Sequence, residues 1–198
     1  MEQAQVLTFL NNKDRDLLLQ FCGYSTTEPL HSFGPVVRPH YIIHFILNGK
    51  GIFQIREKTY HLETGQGFLI EPDELTFYQS DAQEPWEYLW IGFNGKMIPE
   101  FLKQIGLSSA HPIFHCDKKK ELYWLVNDML VHSKSNFSSD LRRTGLLYEF
   151  LSILALNPLE SDQQIDSEYM YINQAIEYIK NNYWAVSYTH LRAHETRS

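Results

Sequence analysis

Between residues 41 and 95, short apolar runs alternate with turn signals at intervals of about ten residues, and this spacing restricts the possible folds more than any other feature of the chain. The first run, residues 41–47, is β-branched and aromatic, and the turn signal Asn48-Gly49 follows it. Later runs cover residues 52–57, 68–72, 76–80 and 86–95. Short strands at this spacing are typical of a β-sandwich or a small barrel. The runs on either side of Asn48-Gly49 also predict a β-hairpin at that turn.

After residue 95 the apolar residues recur with the period of amphipathic helices. One helix is predicted to end at Gly106, and a second covers residues 118–133. A third follows the N-cap signal Ser138-Ser139-Asp140 and ends before Pro158. The predicted fold class is therefore α+β, with a small β-barrel followed by two to three α-helices.

The remainder of the chain changes character again. Residues 158–167 are polar and without periodicity, which predicts a linker. Residues 168–184 have the apolar stripe of one more helix. Residues 185–198 have almost no apolar residues and no stripe, so we expect this tail to be non-native or a following domain to be missing.

Charge and cysteine usage exclude several classes of protein. The net charge of −7 argues against a nucleic-acid footprint over the whole chain. No run of about 18 apolar residues is present and the N-terminus has no signal-peptide pattern, so we expect a cytoplasmic protein with no membrane partner. The two cysteines, Cys22 and Cys116, are too few for a disulfide framework and are interpreted as reduced thiols.

The sequence offers no nucleophile motif and no phosphate-binding glycine loop, so no catalytic residue is expected. His40 and His44 would have metal-ligand spacing on a helix, but their surroundings favour a strand, where both would share a face with Arg38. No His-x-His pair occurs in the chain, so neither a metal nor any other cofactor is expected. For His44 the interpretation is a solvent-facing or hydrogen-bonded side chain.

The order and spacing of several small motifs over about 60 residues resemble the ligand-sensing half of AraC-type transcription regulators, especially those of sugar-utilisation operons. The matching pieces are Tyr41, Gly49-Lys50-Gly51, Tyr60, Leu62, Gly65, Gly67, Pro72, Tyr78, Pro85-Trp86, Tyr88, Trp90, Phe93 and Gly95. The resemblance extends over residues 20–183. It implies a cupin-like jelly-roll barrel over residues 1–97, a helical dimerisation segment over 98–157 and the first helix of a DNA-binding domain over 168–184.

The resemblance also implies the partners. These are a small-molecule effector, namely a mono- or oligosaccharide, a second copy in a homodimer, and operator DNA for the full-length protein only. Because one helix cannot form a helix-turn-helix unit, we expect this chain alone not to bind its operator.

Six residues are the candidate sugar contacts: Tyr24, Arg38, His40, Thr76, Tyr78 and Trp90. Arginine supplies a rigid fork of donors for hydroxyl groups, and Tyr and Trp supply an apolar face with a polar tip. Trp86, Tyr88 and Trp90 alternate onto one face of the last strand, where Trp86 is interpreted as core. Tyr24 lies on an early, arm-like segment and is expected to close the pocket.

The stripe of Leu147, Leu151 and Leu154 has two interpretations, packing on the barrel or on the same helix of a second chain. The resemblance favours the second, so these leucines are predicted at a twofold interface. Two alternative functions stay open. One is a metal-dependent cupin enzyme that acts on a small sugar-like substrate, and the other is a pure dimerisation module with a collapsed barrel.

Overall fold

A computed structural model describes residues 3–8 and 15–156 of the 198-residue chain. In this part of the chain, ten strands form two antiparallel sheets and three helices follow the barrel. Sheet A has the order β1-β2-β9-β4-β7-β10 and sheet B the order β3-β8-β5-β6. The strands are β1 Gln3–Thr8, β2 Leu18–Thr26, β3 Ser32–Val37, β4 Tyr41–Asn48, β5 Lys50–Ile55, β6 Lys58–Glu63, β7 Gln66–Ile70, β8 Leu75–Ser80, β9 Glu87–Asn94 and β10 Ile113–His115.

These two facing sheets confirm the predicted α+β class with a small jelly-roll barrel at its start. The predicted linker over 158–167, the helix over 168–184 and the tail over 185–198 lie outside the described residues. No helix within the described residues is both long enough and apolar enough to cross a bilayer.

Strand β4 is buried on both faces because sheet A lies between two cores. Ile42 and Ile46 face sheet B inside the barrel, whereas Ile43, Phe45 and Leu47 face the helices. A strand covered on both sides is uniformly apolar rather than alternating, as this run is.

The hairpin predicted at Asn48-Gly49 is wrong. Strand β4 pairs with β7 and β9, whereas β5 pairs with β6 and β8 in the other sheet. Gly49 has a φ of 75°, and a Cβ there would lie 2.5 Å from the carbonyl oxygen of Pro85. The turn is therefore a corner at which the chain changes sheet, and it requires glycine for both its backbone conformation and its close contact.

The helices are α1 Ile98–Ile105, α2 Lys119–Val131 and α3 Phe137–Ala155. Helix α1 ends at Gly106 in the left-handed conformation, as predicted. Helix α3 starts earlier than predicted because Asn136 is its N-cap, and the Asn136 side chain accepts a hydrogen bond from the Ser139 N–H. The segment over 98–156 is not purely helical, since β10 returns to sheet A and pairs with β7.

Leu147, Leu151 and Leu154 are buried in the core of their own chain, with exposed fractions of 0, 5 and 5%. Their helix packs on α2 and on β2, so the stripe has no surface left for a second chain. The prediction that these three leucines form a twofold interface is therefore wrong. The opposite face of α3 exposes other large apolar side chains, Leu141, Tyr148 and, just beyond the helix, Leu156.

Candidate functional site

The inner faces of the two sheets enclose a core that is mostly aromatic. Phe53, Phe68, Tyr78, Trp86 and Tyr88 are buried in it, and Trp90 lies at its edge. The inner residues alternate along each strand, which places Thr76, Tyr78 and Ser80 of β8 inside the barrel. Thus the barrel presents ring faces and a few hydroxyl groups to its interior.

Two branches of neighbouring aromatic rings converge on His44. In sheet B, Phe33 stacks on Tyr78 with 5.7 Å between ring centroids, and Tyr78 lies 4.9 Å from His44. In sheet A, Trp90 lies 5.3 Å from Tyr88, and Tyr88 lies 5.5 Å from His44. Phe33 and Trp90 are the more exposed ends of the two branches. The two branches therefore lead from the more exposed Phe33 and Trp90, which we call the rim, through Tyr78 and Tyr88 to the buried His44.

Arg38 lies at the same rim. Its guanidinium carbon is 4.1 Å from the centroid of the Phe33 ring, which is a cation–π contact. No carboxylate of residues 3–8 or 15–156 forms an ion pair with this guanidinium. Its donors therefore remain available to a bound molecule.

His40 is held at the rim by two contacts. Its Nδ1 shares a hydrogen bond of 2.9 Å with Asn94, and its ring meets Phe21 edge to face at 5.7 Å. Burial lowers the pKa of His40, and the nearby Arg38 charge lowers that pKa further. The His40 ring is therefore mostly neutral near pH 7 and both donates and accepts hydrogen bonds.

Glycines on neighbouring strands make room for the large rings. A Cβ at Gly23 would lie 2.5 Å from a carbon of the Trp90 indole, and a Cβ at Gly92 would lie 2.1 Å from the Phe21 ring. Both pairs are direct cross-strand neighbours, Gly23 opposite Trp90 and Phe21 opposite Gly92. Trp90 and Phe21 can therefore lie flat against the sheet at the open end of the barrel.

Five of the six predicted contact residues lie on the barrel side of the fold. Tyr78 and Thr76 are buried in the interior, while Arg38, His40 and Trp90 are half-buried. Tyr24 is the exception, because its ring faces the helices and lies 5.7 Å from that of Tyr123. The prediction that Tyr24 closes the pocket is wrong, since residue 24 belongs to strand β2 and not to an arm.

Three residues of this site, Phe21, Phe33 and His44, are not among the contacts predicted from the sequence. The sequence predicts a solvent-facing or hydrogen-bonded His44, but the side chain is 2% exposed and its Nδ1 has no hydrogen-bond partner among the described atoms. The apolar residues on both sides of it, Ile42 to Ile46, carried the signal that the strand is buried on both faces.

No group of three or more His, Cys, Asp or Glu side chains converges among the described residues in a way that could hold a metal ion. Cys22 and Cys116 are both buried free thiols, and burial raises the pKa of Cys22 to about 12. An open cleft of about 480 Å³ lies outside the barrel, with Lys50, Ile52, His61 and Asp81 among its lining residues. It contains none of the predicted contact residues.

The buried histidine makes folding stability depend on pH. Burial, and then the Arg38 charge, hold the pKa of His44 well below its usual value near 6.5, so the unfolded chain binds a proton that the folded chain excludes. We expect stability to be complete above about pH 7 and to fall below pH 6.5 by up to about 1.4 kcal/mol per pH unit from this group. Urea unfolding between pH 5 and 8 measures the slope, and His44→Phe should reduce it.

Two facing antiparallel sheets around an aromatic interior define the class of small jelly-roll barrels. Residues 18–151 match the AraC-like ligand binding domain model, and the chain belongs to that family.

Two relatives share much of the chain. The Msm operon regulatory protein of Streptococcus mutans serotype c is 35% identical over 176 residues, which cover 85% of this chain and 62% of that protein. The lactose operon transcription activator of Staphylococcus xylosus is 29% identical over 171 residues, covering 85% of this chain and 61% of that protein. The chain thus spans about three fifths of the length of these relatives. A Cupin 2 conserved barrel domain protein from Salinispora arenicola CNS-205 aligns with 52% of this chain and 84% of its own, at 14% identity and a TM-score of 0.39.

Proposed function

We propose that this chain is the effector-sensing and dimerisation part of a cytoplasmic transcription regulator of carbohydrate use, and that a mono- or oligosaccharide binds at the open end of its barrel. Family membership and the operon names of the two relatives support this role. The observation that carries the proposal is the Arg38 guanidinium, which lies over the Phe33 ring without a carboxylate partner among the described residues, at the exposed end of the aromatic residues that lead to Tyr78 and His44.

The chemistry of the rim suits a sugar. A pyranose has an apolar C–H face that packs against an indole, and Trp90 is the half-buried ring that can offer such a face. The hydroxyl groups of the sugar need donors and acceptors in fixed directions, and Arg38 and the neutral His40 can supply them. Tyr78 adds a buried phenol. Sugar binding then stabilises one arrangement of the protein over another, which is how it controls DNA binding by the full-length regulator.

The sugar-binding proposal predicts a specific loss in two variants. In isothermal titration with lactose and related sugars, Arg38→Ala and Trp90→Ala should each weaken the binding of the cognate sugar by about 1–3 kcal/mol. The matched control is Trp124→Ala, which removes a tryptophan that is 63% exposed on α2 and should leave affinity unchanged. Sugar binding that survives both rim substitutions would place the site elsewhere.

Dimerisation is the second part of the proposal. The surface of α3 that faces away from the core presents Leu141 and Tyr148, which are 61% and 43% exposed, with Leu156 at its end. Exposed apolar residues on one helix face are typical of a protein–protein contact, and a second copy of the chain is the partner that we propose.

The rival function, a metal-dependent cupin enzyme, makes a different prediction about composition. We expect purified protein to hold less than about 0.1 equivalent of Zn, Fe or Mn, because the ligand set for such an ion does not assemble among residues 3–8 and 15–156. Elemental analysis after dialysis measures this content. Stoichiometric metal would contradict the regulator proposal and favour the enzyme.

A further inference from the structure

We propose that His44 is a direct contact of the effector, and that its Nδ1 exchanges a hydrogen bond with a hydroxyl group of the bound sugar. This inference rests on the proposed function, and it adds to the site a residue that determines which hydroxyl pattern the barrel accepts.

His44 lies beside Trp90 in sheet A. On sheet A it is the direct cross-strand neighbour of Trp90 on one side and of Phe68 on the other. Side chains in such pairs have Cβ atoms about 5 Å apart on the same face of the sheet. A sugar ring that packs against Trp90 would therefore lie beside His44 in the sheet, and its hydroxyl group would reach the 2% exposed imidazole once the covering ring of Tyr78 or Tyr88 turns aside.

Aromatic rings surround the His44 side chain. Its ring stacks on Phe68 at 4.6 Å between centroids, and the rings of Tyr78 and Tyr88 lie on its other sides. These contacts would suit a phenylalanine equally well. The histidine nevertheless places a buried Nδ1 there with no hydrogen-bond partner among the described atoms, which is costly for folding.

A sugar hydroxyl would satisfy this nitrogen in either tautomer, since a hydroxyl group both donates and accepts. The imidazole is neutral because burial and the Arg38 charge both disfavour its protonation. A neutral hydroxyl is therefore a better match than a cationic group. A polar atom that is costly to the free protein and useful to the complex is typical of a binding residue.

Two variants and one control test the inference in the 198-residue chain. His44→Phe keeps an aromatic ring and removes both ring nitrogens, and His44→Gln keeps a polar group in a non-aromatic side chain. The control is His61→Phe, which makes the same change at an exposed position on the outer side of the barrel. Thermal unfolding without sugar and titration with lactose, galactose, glucose and sucrose at pH 7.5 are measured on each protein.

We expect His44→Phe to raise the melting temperature by roughly 2–6 °C and to weaken the binding of the cognate sugar at least tenfold. His44→Gln should lose less affinity, and His61→Phe should change neither quantity. Unchanged affinity in His44→Phe would overturn this inference alone and indicate that only water meets the nitrogen. A lower melting temperature in His44→Phe would show that the histidine is structural and would also overturn it. A wild-type chain that binds none of the four sugars would overturn the proposed function together with this inference.

Discussion

Leu151→Arg is expected to unfold the protein rather than only to separate two copies of it. Leu151 is 5% exposed and lies in the core that α3 shares with α2 and sheet A. An arginine there would bury an unpaired charge and remove apolar contacts, which costs several kcal/mol of a total stability of about 5–15 kcal/mol. Circular dichroism and thermal unfolding measure the loss.

The matched control is Leu141→Arg on the same helix, where the side chain is 61% exposed. This variant should keep its melting temperature within about 2 °C, because surface substitutions change stability little. In sedimentation it should shift the chain towards monomer, as the proposed interface lies on this face. A well-folded Leu151→Arg protein would contradict the burial of the leucine stripe, and an unchanged dimer in Leu141→Arg would move the interface elsewhere.

Gly23→Ala is expected to disrupt the open end of the barrel although it adds a single methyl group. The new Cβ would lie 2.2 Å from the carbonyl oxygen of Gln5 and 2.5 Å from the Trp90 indole. Backbone on one side and a half-buried ring on the other leave little room to relax, so either β1 or Trp90 must move. We expect a loss of about 1–3 kcal/mol in unfolding free energy, with altered tryptophan fluorescence.

Gly145→Ala is the corresponding control. Gly145 lies within α3, and a Cβ there would meet no atom within 4 Å. Alanine should stabilise the helix by about 0.5–1 kcal/mol through its higher helix propensity. If both substitutions changed the free energy of unfolding equally, the close contacts at Gly23 would not explain why that position requires glycine.

Local pattern predicted the elements of the fold better than their partners. The run over residues 41–47 identified β4, and Gly106 identified the end of α1. However, both flanks of Asn48-Gly49 have the same strand character whether they pair with each other or enter different sheets. Whether β4 and β5 pair with each other depends on strands β7, β8 and β9, which follow later in the sequence. The residues around Asn48-Gly49 alone therefore cannot distinguish a corner from a hairpin.

Tyr24 was expected on an arm, and an irregularity in strand β2 determines that it faces the helices instead. Leu17 and Leu19 face the helices, but a bulge between Leu19 and Phe21 shifts the alternation, and Cys22 and Tyr24 then face the helices instead. A one-residue irregularity exchanges the two faces of every later residue in the strand. Nothing in the residue types around Gln20 indicates this bulge, whereas the uninterrupted alternation of Trp86, Tyr88 and Trp90 placed those rings correctly on one face.

Because sheet A contributes to two cores, it limits where the chain can be cut when this domain is fused to another protein. Along β9, Leu89 and Ile91 belong to the core beneath the helices, and Trp90 between them belongs to the barrel. A fragment that ends at residue 97 would keep the rim but expose the helix-facing side of β4 and β9 to water, which favours aggregation. The smallest fragment expected to keep its fold therefore includes the helices through residue 156, and a fusion partner is best attached after them. In such a chimera, the strand that holds Trp90 also packs against α2, so the ring that we expect the sugar to touch and the helices next to the fusion point share one core.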